Sequence, residues 1–298
     1  MLRSLLRSVL PRRAPPPPAN PQGEQARRFE EAVEDWRAGR TAEAAAACRD
    51  LLEVAPDHTP AYLLLARITL PGDDYLKLLE RIHAHLAPRT YVEVGVAQGE
   101  SIRLAGGGTR AIGVDPEPRI AFPLGSNVRI VAQTSDEFFA RHDVRAELGG
   151  LPIDLAFIDG MHRFEFALRD FANLEALCTP SSTILIHDVY PFDERTATRE
   201  RTTDFWSGDI WRLVLLLRKH RPDLMVRTIA TSPTGLAVVR NLDPRSIYLR
   251  ERLDALIAEY LAVDFGALGD RKTERLALFP NDWPQIRALL DAPVAAGR

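Results

Sequence analysis

The sequence predicts an α/β protein: a doubly wound, mostly parallel seven-stranded sheet of Rossmann-like type, behind a small all-helical N-terminal segment. Three observations predict it. From Tyr91 onward, short apolar runs alternate with amphipathic stretches, the signature of strands joined by helical crossovers. The first apolar run ends in a glycine-bearing turn, "YVEVGVAQGES". The last two runs, in "LMVRTIATSPTGLAVVRN", are separated by a Pro-Thr-Gly turn and read as an antiparallel hairpin that closes the sheet.

The elements follow in order. Residues 1–23 form a basic, proline-rich tail with no acid before Glu24. Leu2, Leu5, Leu6, Val9 and Leu10 fall at helical spacing, and Pro15–Pro18 is a stiff breaker. A disordered tail is expected, with a membrane-surface helix or a transit peptide as sharper readings. Residues 24–87 are helical throughout, with turns at Gly39 and at Pro56–Asp57. Trp36, the Gly-Arg turn and the alanines that follow resemble a tetratricopeptide repeat, over about one and a half periods of roughly 34 residues. That is too little for a free-standing solenoid, so these helices are expected to cap the next domain. Residues 88–298 form that domain. Strands are expected at 90–95, 110–115, 128–132, 153–159 and 182–188, with the clearest helix at 162–178 and another at 208–220. After the hairpin, helices at 244–262 and 283–291 form a C-terminal extension.

Composition excludes several classes. A net charge of −3 argues against a nucleic-acid protein, which needs a basic surplus or stripe. No apolar run is long enough for a transmembrane span. Cys48 and Cys178 lack metal or redox spacing and read as reduced, buried residues of a cytoplasmic protein. Only Lys77, Lys219 and Lys272 are lysines, and the arginine skew hints at a GC-rich, bacterial source.

The turn after the first strand sets the question of the ligand. Gly95 and Gly99 fit the dinucleotide fingerprint, but Ala97 holds the middle position, where glycine lets backbone approach a pyrophosphate. Glu93 places an acid beside the turn, which suits a cationic ligand such as S-adenosylmethionine. The ligand's carboxylate could meet backbone N–H groups near a helix start at Gly99–Ser101. Asp115 ends the next strand and could accept both ribose hydroxyls. Ser135 and Asp136, after the third strand, could bond the adenine edge. Turn chemistry for Asp115 and helix capping for Ser135 are the plainer alternatives.

The motifs "VEVGVAQGES", "GVDPEP", "IDLAFIDGMHRFEFALRDF" and "ILIHDVYP" make residues 90–242 resemble a class I S-adenosylmethionine-dependent methyltransferase. The D-G-x-H and H-D elements further resemble the metal-dependent sugar O-methyltransferase branch. The resemblance implies metal ligands at Asp159, His187 and Asp188, a general base at His162, and a divalent ion, Mg²⁺ or Mn²⁺. His187 departs from that branch, where a carboxylate is found, and imidazole suits softer metals than Mg²⁺. The residues agree on placement: neighbouring strand ends should bring Asp159, His162, His187 and Asp188 together in the ligand crevice, where Asp159 could instead bond the cofactor's amino group with no metal.

The segment "YPFDERTATRERTTDFWSGDIWRL" stands where a substrate lid would sit. Arg195, Arg199 and Arg201 could meet an anionic or sugar-linked acceptor, and Trp206 and Trp211 could stack on a ring. A solvated loop and core packing are the alternatives. The expectation is an O-methyltransferase acting on a small polyhydroxylated or glycosylated acceptor. Its rivals are a metal-independent methyltransferase and a non-catalytic tetratricopeptide-type scaffold. A homo-oligomer or a peptide partner would use residues 24–87.

Overall fold

The computed structural model describes residues 21–293. The expectations for residues 1–20 lie outside the described residues.

Helix α1 (Pro21–Arg37) starts inside the stretch expected to be tail. A proline suits a first helical position, where its missing N–H would have had no partner. Helix α2 (Thr41–Val54) buries Ala44, Ala45, Cys48, Leu51 and Leu52, a stripe at helical spacing. Helix α3 (Thr59–Thr69) is capped by His58, whose ring nitrogen accepts from Ala61 N–H at 3.2 Å. These three helices share a core around Tyr62. Helix α4 (Tyr75–Leu86), capped by Asp74, packs elsewhere: Leu78, Leu79 and Ile82 lie against the sheet.

The sheet comprises β1 (Thr90–Val94), β2 (Arg110–Asp115), β3 (Val128–Ala132), β4 (Ile153–Ile158), β5 (Cys178–His187), β6 (Met225–Ile229), β7 (Leu236–Arg240) and β8 (Leu278–Phe279). The strand order is β3-β2-β1-β4-β5-β7-β6-β8. Strands β1–β5 run parallel, and β7 enters antiparallel beside β5. The sheet is therefore eight-stranded, one more than the sequence predicts. The addition is β8, two residues parallel to β6, too short to show a period of its own.

Along each central strand, alternate residues face opposite layers. Val92, Ala156 and Ile186 join the core beneath α7 (Phe164–Glu175) and α8 (Trp211–His220). Tyr91, Leu155 and Leu185 join the core under α4 and α12 (Trp283–Asp291). Two shorter helices, α5 (Ser135–Arg141) and α6 (Val144–Glu147), follow β3. The expected helix at 244–262 is two, α9 (Tyr248–Glu251) and α10 (Leu253–Leu261), and α11 (Lys272–Arg275) precedes β8. After the Gly95–Gly99 turn the expected helix does not form; a three-residue 3-10 turn, Ile102–Leu104, takes its place.

The order reverses between β1 and β4, which opens a crevice at their carboxyl ends. Among the described residues, no helix is long and apolar enough to cross a membrane.

Candidate active site

At that switch point lies a cavity of about 620 Å³. Its wall includes Gly95, Ala97, Asp115, Ser135, Asp136, Asp159, His162, His187 and Asp188. Of the residues expected to bind the cofactor, Glu93, Gly99 and Ser101 do not line it.

The turn after β1 is shaped by close backbone approach. Gly95 has φ +89°, and a Cβ there would meet the Asp159 carbonyl oxygen at 2.1 Å. Ala97 is also left-handed, at φ 45°. That strained turn is held by Asp115: one carboxylate oxygen accepts from Val96 N–H and Ala97 N–H, both at 2.9 Å, and the other from Glu117 N–H at 2.8 Å. Asp115 therefore organises the turn and still faces the cavity, with lone pairs left for further donors.

Glu93 sits beneath the turn and is fully buried. Strand alternation sends it to the α4 side, with Tyr91. Its oxygens accept from Tyr91 Oη and Ser101 Oγ, both at 2.6 Å. Burial pushes its carboxyl up to about 8, against the pull of those two hydrogen bonds. Ser101 is thereby tied to Glu93, and Gly99 N–H closes the turn onto Val96 O at 2.8 Å.

The ends of β4 and β5 bring four chemical groups together. His162 Nε2 lies 3.1 Å from Asp188 Oδ2 and 3.6 Å from Asp159 Oδ1. His187 Nδ1 lies 3.1 Å from Asp159 Oδ1 and 3.3 Å from Asp188 Oδ2. Asp159, His162 and Asp188 can offer one ligand atom each within 4.8 Å of one another. His187 is not in that set: its Nδ1 is directed at both carboxylates, as a proton-bearing bridge would be. Burial disfavours both imidazolium ions, but Asp188 and Asp159 overrule it and hold His162 up to about 9 and His187 up to about 10. Burial would raise Asp159, yet the two histidines keep its carboxyl below the ordinary range. His162 and Asp188 also have positive φ, at 57° and 59°. Non-glycine residues are seldom held there, and such strain gathers at functional sites.

Several wall residues were not legible in the sequence. Thr234, in the β6–β7 turn, donates to Asp188 Oδ1 at 2.5 Å. Tyr75, at the start of α4, stacks on His187 with ring centroids 4.1 Å apart. Thr59 and Leu63 reach the same cavity from α3. Asp170, on α7, is buried at 3% exposure, and burial pushes its carboxyl up to about 7. One signal was available: Asp170 falls between Ala167 and Phe171 on the apolar side of that helix.

The segment between β5 and α8 covers the cavity, where Phe205 and Trp206 line it. Trp206 stacks on His162 at 5.4 Å, and its Nε1 donates to Thr198 O at 2.7 Å. Trp211 is fully buried and belongs to the core. The three arginines have protein partners. Arg195 holds Leu52 O and Glu53, each at 2.8 Å; Arg199 pairs with Glu165; Arg201 donates to Thr203 O and Asp204 O. With the Tyr62 Oη to Asp193 hydrogen bond at 2.8 Å, Arg195 fastens this segment to α2 and α3.

Residues 92–189 match the family model described as "Methyltransferase domain". No curated protein matches the chain. Among solved structures, cofactor-bound Rv0187 from MTB is 18% identical at a TM-score of 0.45, covering 68% of this chain and 90% of its own. The O-methyltransferase TomG from Streptomyces achromogenes, in complex with SAM, is 17% identical at a TM-score of 0.45, over 56% of this chain and 79% of its own. An O-methyltransferase from Bacillus cereus, in complex with SAH, is 17% identical at a TM-score of 0.40, over 58% and 85%. These are distant likenesses. The matched segment, a third of the chain, runs from within β1 to just past β5 and contains both the glycine turn and the Asp159–Asp188 cluster, so this part of the α/β unit is similar to a methyltransferase domain.

Proposed function

We propose that the chain is an S-adenosylmethionine-dependent O-methyltransferase, assisted by a divalent metal, acting on a small polyhydroxylated or glycosylated acceptor. One observation carries the proposal. A single cavity joins the β1 turn and Asp115, suited to a nucleoside, to the Asp159–His162–Asp188 cluster, suited to a hydroxyl.

In this reading Asp115 would hold the cofactor's ribose, Ser135 and Asp136 would face its base, and the β4–β5 ends would face its methyl group. The cofactor would supply an electrophilic methyl, which passes to the acceptor oxygen as the carbon–sulfur bond breaks and the sulfur leaves as a neutral thioether. His162 would take the acceptor's proton. Opposite charges are neutralised in that step, so a segment that covers the cavity favours it. Leu63, Met161 and Trp206 supply an apolar wall for the carbon face of an acceptor ring.

Asp159 and Asp188 fit a metal by donor type and mutual distance, with His162 Nε2 beside them as the base. A divalent ion held by them would lower the acceptor hydroxyl's pKa. It bears on His162 as well. With no metal on the carboxylates the imidazole is held up to about 9, even against the opposing charge of His187. A base there needs another cation to take up the carboxylates' field. A metal-independent transfer is the second reading, favoured by His187, whose Nδ1 already bridges the two carboxylates that a metal would occupy.

The test is calorimetry. S-adenosylmethionine is titrated into metal-stripped protein, then again with Mn²⁺ or Mg²⁺ present. Saturable binding supports the methyltransferase reading; its absence in every condition overturns it. Mn²⁺ bound by the wild type and lost in Asp188→Ala supports the metal site. Wild type that binds cofactor but no metal turns the choice to the second reading.

A further inference from the structure

We infer that the acceptor carries a basic amine, which Asp204 holds beside Trp206. The inference rests on the methyltransferase reading above and names a class of acceptor for that site.

The charges around the cavity are one-sided. Six aspartates line it, and among the described residues no lysine or arginine does. Arg163, Arg195, Arg199 and Arg201 stand close by in sequence, and each is held by protein: by Glu200, by Glu53, by Glu165, and by the carbonyls of Thr203 and Asp204. The wall's own cations, His162 and His187, face Asp159 and Asp188, which match their charge. An anionic acceptor, which the sequence allowed, therefore finds no unmatched cation in the wall.

Five of the six aspartates have partners. Asp115 accepts from backbone N–H groups, Asp136 pairs with Arg169, Asp159 and Asp188 face the histidines, and Asp170 meets the Ser135 hydroxyl. Asp204 is the exception. Its carbonyl accepts from Arg201, but among the described residues its carboxylate has neither a hydrogen bond nor an ion pair. It also lies outside the group of side chains that can share a metal ion.

The place of Asp204 says which ligand it meets. The next two residues are aromatic: Phe205 stacks on Tyr62 of α3 at 4.9 Å, and Trp206 stacks on His162, the base. Asp204 thus belongs to the segment that covers the acceptor's side of His162, whereas the tips of β1, β2 and β3 build the cofactor's side. A free carboxylate next to aromatic rings suits an ammonium group on a short carbon stem. The charge meets the carboxylate, and the rings favour a cation and pack its stem. The same wall repels carboxylate- or phosphate-bearing acceptors, so it selects by charge.

The test uses protein saturated with S-adenosylhomocysteine and matched glucosides whose aglycone arm is aminoethyl, hydroxyethyl or carboxymethyl. Each is titrated by calorimetry into wild type and Asp204→Asn. Wild type should bind the amine about fivefold or more tighter than the alcohol, and the carboxylate weakest. Asp204→Asn should bring amine and alcohol within about twofold of each other and leave the affinity for S-adenosylhomocysteine unchanged. Melting curves check that the variant folds, and Asp204→Ser replaces it if it does not. A preference that wild type lacks, or that survives in the variant, overturns the inference while leaving the enzyme class intact. Wild type that binds S-adenosylhomocysteine but none of the glucosides does the same. So does a variant with weakened S-adenosylhomocysteine binding, which would give Asp204 to the cofactor. Wild type that binds no S-adenosylhomocysteine overturns the methyltransferase reading, and the inference falls with it.

Discussion

Replacing Asp170 with Asn removes a carboxyl whose charge the fold resists, and it should make the protein more stable at alkaline pH. Burial raises this carboxyl from 3.8 to about 7; Asp136 adds to the rise, while Ser135 and Arg169 oppose it. The folded state therefore holds the proton more tightly than the unfolded chain does. Below the unfolded value near 3.8 the group is neutral in both states and costs nothing. As pH climbs toward 7 the unfolded chain ionises freely and the folded one does not, so stability falls; above about 7 the penalty levels off. The full rise corresponds to about 4 kcal/mol, and at pH 5 to a little under 2 kcal/mol. The amide carries no charge at either pH, and Ser135 can pair with it. Urea unfolding of both proteins at pH 5 and pH 8 is the assay. The margin of Asp170→Asn over wild type should widen by roughly 2–3 kcal/mol between the two. Equal pH slopes in the two proteins would refute the claim that Asp170 is buried against its charge.

Three further outcomes are expected. Gly95→Ala puts a Cβ 2.1 Å from the Asp159 carbonyl at φ +89°, so denaturant unfolding should show a loss of roughly 3 kcal/mol or more; a change below 1 kcal/mol would show that the turn can open. Asp115→Ala strips three backbone N–H groups of their acceptor along with the diol's partner. Calorimetry should show cofactor affinity down by roughly a hundredfold or more, and unchanged affinity would remove Asp115 from the site. Arg195→Ala cuts the covering segment from α2; because the Arg195–Glu53 pair is largely exposed, stability should move by no more than about 1 kcal/mol. Hydrogen exchange over residues 191–206 should nonetheless speed up, and unchanged protection there would mean the fastening does nothing.

Strand and turn logic made much of this molecule legible from its residues. The parallel sheet followed from apolar runs and their spacing, and the hairpin from a Pro-Thr-Gly turn. The cluster at Asp159, His162, His187 and Asp188 followed from the rule that neighbouring strand ends share a crevice. The misses share a cause. The expected helix after Gly99 is a 3-10 turn because Ser101 turns inward to Glu93. Glu93 itself went to the α4 side, a choice made by which face of β1 that helix covers.

By itself, then, the sequence determined what depends on near neighbours along the chain. That comprises the period of each strand, the glycine that lets the β1 turn pass Asp159, the caps that start α3 and α4, and the order of acids along successive strand tips. Tertiary structure decided what depends on residues far apart in sequence. Thr234 meets Asp188 because β7 inserts beside β5; Tyr75 meets His187 because α4 crosses the sheet; Leu63 reaches the cavity because Arg195 and Asp193 fasten the covering segment to α2 and α3. Hydrophobic periodicity says which face of an element is buried but not against what, so the identity of a side chain's partner waits on packing.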